Sequence, residues 1–169
     1  MPMCAAAIVG AGLVLYELRV LLQLSARPDP DADRDFRFPG GQTRLVPTAD
    51  GGHLHIEECG VGRPVLLLHG HGASMRTFSL LAAPLLAGGR RVIAMDQRGF
   101  GRSSPVPPMF GFPGLVDDAA AVLEALDLRD TVVVGHSMGG GVALGLAIDR
   151  PAIVAERVSA IVLINSSGR

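Results

Sequence analysis

The sequence predicts an α/β fold: a three-layer sandwich in which helices cover both faces of a mostly parallel sheet. Four short apolar runs, residues 65–69, 91–96, 131–135 and 160–165, are continuous rather than alternating, as strands covered on both faces are. Helical stretches separate them, so strand and helix alternate three times. With 49% apolar and 18% charged residues, the 169-residue chain has the composition of one domain that buries a core.

Taken in order, the chain starts with a run in which every residue from Met3 to Tyr16 is apolar or Gly; after Glu17, Leu18 and Arg19 the apolar character resumes. The 22 residues from 3 to 24 would, as a helix, cross a hydrocarbon core of about 30 Å. Glu17 and Arg19 oppose a span by up to about 3 kcal/mol each if central. Both lie toward one end, where snorkelling lowers that cost. Residues 1–26 are therefore expected to form a hydrophobic helix acting as a membrane anchor or signal, which makes the protein membrane-associated. A positive leading region and a small-x-small cleavage site, the marks of a signal peptide, are not evident. A secreted protein, or a cytoplasmic one with an amphipathic leader, stays open. Cys4 reads as one more member of the apolar run. Residues 27–41, with Arg27-Pro28-Asp29-Pro30-Asp31, read as an extended linker, because each Pro disfavours helix before it.

The partial domain 42–169 opens with two strands, 44–48 and 53–58, around the turn Asp50-Gly51-Gly52. His53 and His55 share one face of the second strand and are expected as surface histidines rather than ligands. Ser74 is the expected N-cap of a helix running to about Leu86 and closed by Gly88-Gly89. Leu115, Ala119, Val122, Leu123 and Leu126 share one face of the next helix, with Asp117, Asp118 and Glu124 mostly off it. A third helix, from Met138 to Asp149, is expected to stop at Pro151. The sheet should be mixed at one edge and parallel beyond it.

Composition removes several classes of function. All fifteen basic residues are Arg, which excludes a Walker-type phosphate loop and Schiff-base or pyridoxal chemistry, both of which need Lys. A net charge of −1 leaves no basic footprint for nucleic acid. Gly99-Phe100-Gly101 lacks the third small residue of a dinucleotide fingerprint. Cys4 and Cys59 form neither a disulfide framework nor a zinc motif, and His69-x-His71 is only half of a metal site. No cofactor and no metal are expected.

Three features carry chemistry. Ser137 lies in Gly135-His136-Ser137-Met138-Gly139, a G-x-S-x-G match that begins on the last residue of a predicted strand and opens the following helix. In that context the flanking glycines allow a sharp turn that lifts the hydroxyl above the sheet edge, at the positive helix end. His69-Gly70-His71-Gly72 follows the third predicted strand and can aim main-chain N–H groups at a developing oxyanion, each worth about 3 kcal/mol. Asp96-Gln97-Arg98-Gly99-Phe100-Gly101-Arg102-Ser103 follows the fourth. In this order and spacing, over residues 42–167, the chain resembles the N-terminal half of an α/β-hydrolase of the single-domain esterase, haloperoxidase and C–C hydrolase type.

The resemblance implies Ser137 as nucleophile, with the main-chain N–H groups of Met138 and His71 as oxyanion donors. His69, Gly70, Gly72, Gly135 and Gly139 support them, and Asp96, Arg98 and Arg102 shape the adjoining loop. Asp96 is expected to stabilise a turn rather than act as the catalytic acid. His136 leaves the turn on the other side and is expected beneath the elbow, not as the base. The family's order is nucleophile, acid, histidine, yet residues 138–169 contain no His, and their only acids are Asp149 and Glu156; Asn165 cannot serve as a carboxylate. The expectation is a sheet truncated after about the sixth strand, with residues 160–165 as an exposed edge. The full-length parent is then a serine hydrolase acting on an ester-like or related carbonyl substrate through an acyl-enzyme, and this chain a fragment without catalytic acid and histidine. The alternative is a non-catalytic, membrane-tethered hydrolase-like module. The expected partners are a small-molecule substrate and, through residues 3–24, a membrane; the oligomeric state stays open.

Overall fold

A six-stranded mixed sheet organises residues 41–166, the part of the chain that the computed structural model describes. The hydrophobic helix expected over 1–26 and nearly all of the linker expected over 27–41 lie outside the described residues. Strands β1 (Gln42–Pro47), β2 (His53–Cys59), β3 (Arg63–Leu68), β4 (Arg90–Met95), β5 (Thr131–His136) and β6 (Val158–Ile164) stand in the order β1-β2-β4-β3-β5-β6. β2 pairs antiparallel with β1 and β4, and every other pairing is parallel. The sheet is thus mixed at one edge and parallel beyond it.

The continuous apolar runs feed two separate cores. Leu66, Leu68, Ile93 and Met95 point into a cluster with helices α2 (Phe112–Ala125) and α3 (Met138–Asp149). Val65, Leu67, Val92 and Ala94 point the other way, onto Met75 and Phe78 of a 3₁₀ turn (Met75–Phe78) and Ala82 of α1 (Ser79–Ala87). Alternate residues of one strand therefore serve opposite layers, which is why no polar residue interrupts the run. Burying a side chain such as Leu66 or Leu67 is worth about 1.5–3 kcal/mol. Among the described residues no single helix is long and apolar enough to cross a membrane.

Two local expectations are corrected, and a third is borne out with an addition. Ser74 gives no side-chain cap. Instead, Asp96 Oδ1 accepts the Met75 N–H at 2.9 Å, so a carboxylate from the loop after β4 caps the turn before α1. The helix expected from Met138 to Asp149 is found with those bounds, and Pro151, just beyond it, opens a further helix, α4 (Pro151–Arg157), at its first position, where a missing N–H costs nothing. Asp118 is not off the buried face of α2. It is 5% exposed, because a guanidinium from another element meets it there.

That guanidinium belongs to Arg98, 2% exposed. Its Nη1 donates to Asp50 Oδ2 at 2.7 Å and its Nη2 to Asp118 Oδ1 at 3.0 Å. Arg98 also lies over the Phe110 ring, 5.3 Å from its centroid. One side chain thus ties the β1–β2 turn, the loop after β4 and helix α2 together. Asp118 Oδ2 is buried with no hydrogen-bond partner among the described residues. Burial pushes its carboxyl up to about 6 from 3.8, against the opposing pull of Arg98.

Two predictions follow from this triad. Arg98→Met should destabilise the chain by about 3–5 kcal/mol, because it leaves a buried carboxylate uncompensated, whereas Arg98→Met with Asp118→Leu should recover most of that loss; urea unfolding of the four forms measures both. Asp118 binds its proton more tightly folded than unfolded. Its contribution to stability is therefore full below the unfolded value and is lost as pH rises to about 6. Asp118→Asn should flatten the melting temperature across that window.

Candidate functional site

Ser137 joins β5 to α3 with φ 50° and ψ −115°. A non-glycine residue rarely holds positive φ, and the strain of about 1–3 kcal/mol persists only where the surroundings enforce it. Here they do. The Ser137 N–H donates to Ile164 O of β6 at 3.0 Å, and its carbonyl accepts the N–H groups of Gly140 at 3.0 Å and Gly141 at 3.3 Å. Gly135 and Gly139 have no room for a side chain: a Cβ on the first would strike the Gly139 carbonyl, and one on the second the Leu68 carbonyl. Ser137 is exposed, and its hydroxyl makes no hydrogen bond among the described residues. Met138 stands at the first position of α3, where an N–H has no acceptor within the helix.

The loop after β3 abuts this elbow. A Cβ on Gly70 would lie 3.2 Å from Ser137 Cβ and 3.1 Å from His136 Nδ1. The structure therefore brings His69–Gly72 and Gly135–Gly139 together, with the His71 peptide adjoining the contact. His71 is exposed. His136 is half-buried, with Nδ1 unpartnered among the described residues.

His69 is fully buried and acts as a strut. Its Nδ1–H donates to Gly70 O at 2.7 Å, and its Nε2 accepts the Gln97 N–H at 3.0 Å. Burial pushes its imidazole below the ordinary value, so it stays neutral in this role. Asp96, 3% exposed, organises the neighbouring loop. Besides the Met75 N–H, it accepts the Arg102 N–H at 2.9 Å, and its Oδ2 lies 3.2 Å from His55 Nδ1. His55 is therefore 4% exposed rather than a surface histidine. His53 is half-buried, its ring between Ser104 Oγ at 3.0 Å and the Arg102 carbonyl at 3.2 Å. Arg98 is committed to the triad described above and makes no hydrogen bond to Ser137 among the described residues. A cavity of about 340 Å³ beyond it is lined by Asp50, Met109, Phe110 and Asp118 among others, and not by Ser137.

Three residues near the elbow were not singled out in the sequence. Gln97, fully buried, clamps His69 through its main chain and through its side-chain amide to the His69 carbonyl. Phe100 stands edge-to-face with both His69 and His71, at 5.6 and 5.3 Å. Ser166 fills the space over Gly140 and donates to Ile164 O at 3.0 Å. Gln97 and Phe100 lie inside the Asp96–Ser103 motif, which was signal enough to find them; Ser166 had none. Among the described residues no group of three or more His, Cys, Asp or Glu side chains gathers to hold a metal.

Known proteins resemble this chain in sequence and fold. The family model of the alpha/beta hydrolase fold matches residues 63–168. The chain is 40% identical over 123 residues to a 2-hydroxymuconate semialdehyde hydrolase from a Pseudomonas species, covering 71% of this chain and 42% of that protein. It is 42% identical over 97 residues to a non-heme haloperoxidase from Rhodococcus erythropolis, covering 57% and 35%. An esterase structure from Exiguobacterium antarcticum superimposes with a TM-score of 0.69 at 30% identity, covering 74% of this chain and 46% of that one. The chain thus spans less than half the length of these relatives.

The glycines separate two costs. Gly139→Ala should destabilise toward the upper end of about 1–3 kcal/mol, since the obstacle is main chain and cannot swing aside. Gly72, at φ 69°, has nothing near its missing Cβ, so Gly72→Ala should cost only the backbone strain, about 1 kcal/mol. Denaturant midpoints of the two variants check the order.

Proposed function

Since the chain belongs to the alpha/beta hydrolase fold family, we propose that its parent protein is a serine hydrolase cleaving ester-like or related carbonyl substrates through an acyl-enzyme. The observation that carries this reading is the exposed, unencumbered hydroxyl of Ser137, held at positive φ on a strand-to-helix junction against Gly70. Ser137 Oγ attacks the substrate carbonyl carbon while a base takes its proton. The oxyanion that forms is held by the N–H groups of Met138 and His71. The carbonyl re-forms as the leaving group departs with a proton, and water hydrolyses the acyl-serine by the same steps. Each main-chain donor is worth about 3 kcal/mol to the transition state, because it is fixed before charge develops.

A serine hydroxyl is a weak nucleophile without a general base. His69 is committed to Gly70 and Gln97, His55 lies against Asp96, His53 against Ser104 and Arg102, neither His71 nor His136 is hydrogen-bonded to Ser137 among the described residues, and residues 138–169 hold no His. In this reading the base and its acid come from the part of the parent that this chain does not include. The second reading, a non-catalytic hydrolase-like binding module, draws on the same lack of a base. Fluorophosphonate treatment of the full-length parent separates the two. The expected result is one labelled serine, lost in Ser137→Ala; labelling that survives the substitution, or none at all, sinks the catalytic proposal. The 169-residue chain alone should show no measurable turnover of a p-nitrophenyl ester.

A further inference from the structure

Helix α1 has an outer face that the core does not use. Its sequence, Ser-Leu-Leu-Ala-Ala-Pro-Leu-Leu-Ala, contains no charge, and only Ser79 and Ala82 are fully buried. Leu80 is 52% exposed, and Leu81, Ala83, Pro84 and Ala87 are exposed beside it. A helix on the outside of a sheet ordinarily turns charged residues to water; from Thr77 to Gly89 this chain has none. Val61, 83% exposed, stands in the adjoining β2–β3 turn, whose Gly62 packs against the Gly89 carbonyl.

The segment that builds this face carries charge of one sign. Residues 59–95 include four Arg and no Asp or Glu. Arg63 pairs with Asp130 and Arg91 with Glu58. Arg76 and Arg90, which flank α1 at its two ends, have no ion pair among the described residues. The chain also enters the domain here. Gly41 packs against the Glu58 carbonyl and Cys59 Sγ, and the next residue, Gly60, packs against the Leu86 side chain and the Arg90 carbonyl. Residue 41, the first described residue, therefore lies beside the turn that packs on the C-terminal end of α1.

We propose that the outer face of α1, with Val61 and the flanking Arg76 and Arg90, docks on an anionic lipid bilayer. The leucines bury in the interface, and the guanidiniums meet lipid phosphates, which they bind bidentately. Each arginine near such a surface is worth about fivefold in the docking equilibrium. A second copy of the chain fits this face poorly. Nine residues make a helix about 14 Å long and about 10 Å wide, far short of the roughly 800 Å² per partner of a stable interface. The proposal is independent of the catalytic reading.

The test uses the full chain with Cys4→Ser, Cys59 being buried, and a fluorophore on Leu80→Cys or, as control, on Ile148→Cys of α3, which is 75% exposed. Each is incorporated into phosphatidylcholine vesicles with or without phosphatidylserine. In vesicles with phosphatidylserine the label at 80 should lose most of its emission to a lipid-borne nitroxide quencher and be shielded from iodide, while the label at 148 does the reverse. Arg76→Gln with Arg90→Gln should lower the docking equilibrium constant by about fivefold per arginine. A label at 80 open to iodide in those vesicles overturns the proposal. So does one shielded from iodide yet untouched by the lipid quencher, which would mean that the N-terminal run or a second copy covers the face. Equal lipid quenching at 80 and 148 also overturns it.

Discussion

The left-handed backbone of Ser137 is the constraint on which the local structure turns. A residue with a side chain holds that conformation at a cost of about 1–3 kcal/mol, so it survives only where its neighbours leave no alternative. Relaxing it would break the bond from its N–H to Ile164 and those from Gly140 and Gly141 to its carbonyl. It would also pull Gly135 and Gly139 out of contacts that admit no Cβ. The strain thus puts a small polar side chain in solvent at the end of a buried strand, where an unstrained turn would fold it back toward the helix.

A second network makes the floor around the elbow rigid. Its hub is the end of β4, where Asp96, Gln97 and Arg98 are all buried, and each is bonded to a different element. Asp96 holds the turn before α1 and the loop at Arg102; Gln97 holds His69; Arg98 holds the β1–β2 turn and α2. Buried polar groups are costly unless paired, so nearly every bond here fixes a loop that would otherwise be free. The loop carrying His71 is anchored through His69 in this way, and Phe100 holds it by ring contacts with both histidines.

Sheet order aside, the fold was legible because its main signal is local: a run such as Val65–Leu68 with no polar residue has few explanations other than a strand covered twice. The elbow was legible because strand, glycine, serine and helix are contiguous. What escaped reading depends on partners distant in sequence. Nothing near Asp118 announces that Arg98, twenty residues upstream, will draw it inward, and alternation placed it with the solvated face. His55 reads as exposed until Asp96 is brought 3.2 Å from it. Ser74 looks like a cap by every local rule, yet its side chain caps nothing, and the Met75 N–H at the start of the turn goes to Asp96, 21 residues further on. The misreadings share a cause: ion pairs and charged hydrogen bonds override the periodicity of single elements.

The elbow is also tied to an edge strand of the sheet. β6 pairs with β5 alone among the described residues, and Val162, Leu163 and Ile164 are all exposed. An edge strand frays more readily than a central one, because half of its main-chain groups have no protein partner. Yet Ile164 supplies the carbonyl that holds the Ser137 N–H, and Ser166 just beyond it closes over Gly140. Fraying of β6 from its C-terminal end would release the contacts that enforce positive φ at Ser137 while leaving β3, β4 and their two cores intact. An element that paired with the open side of β6 would therefore act on the serine without touching it, by setting how long Ile164 stays in register with His136.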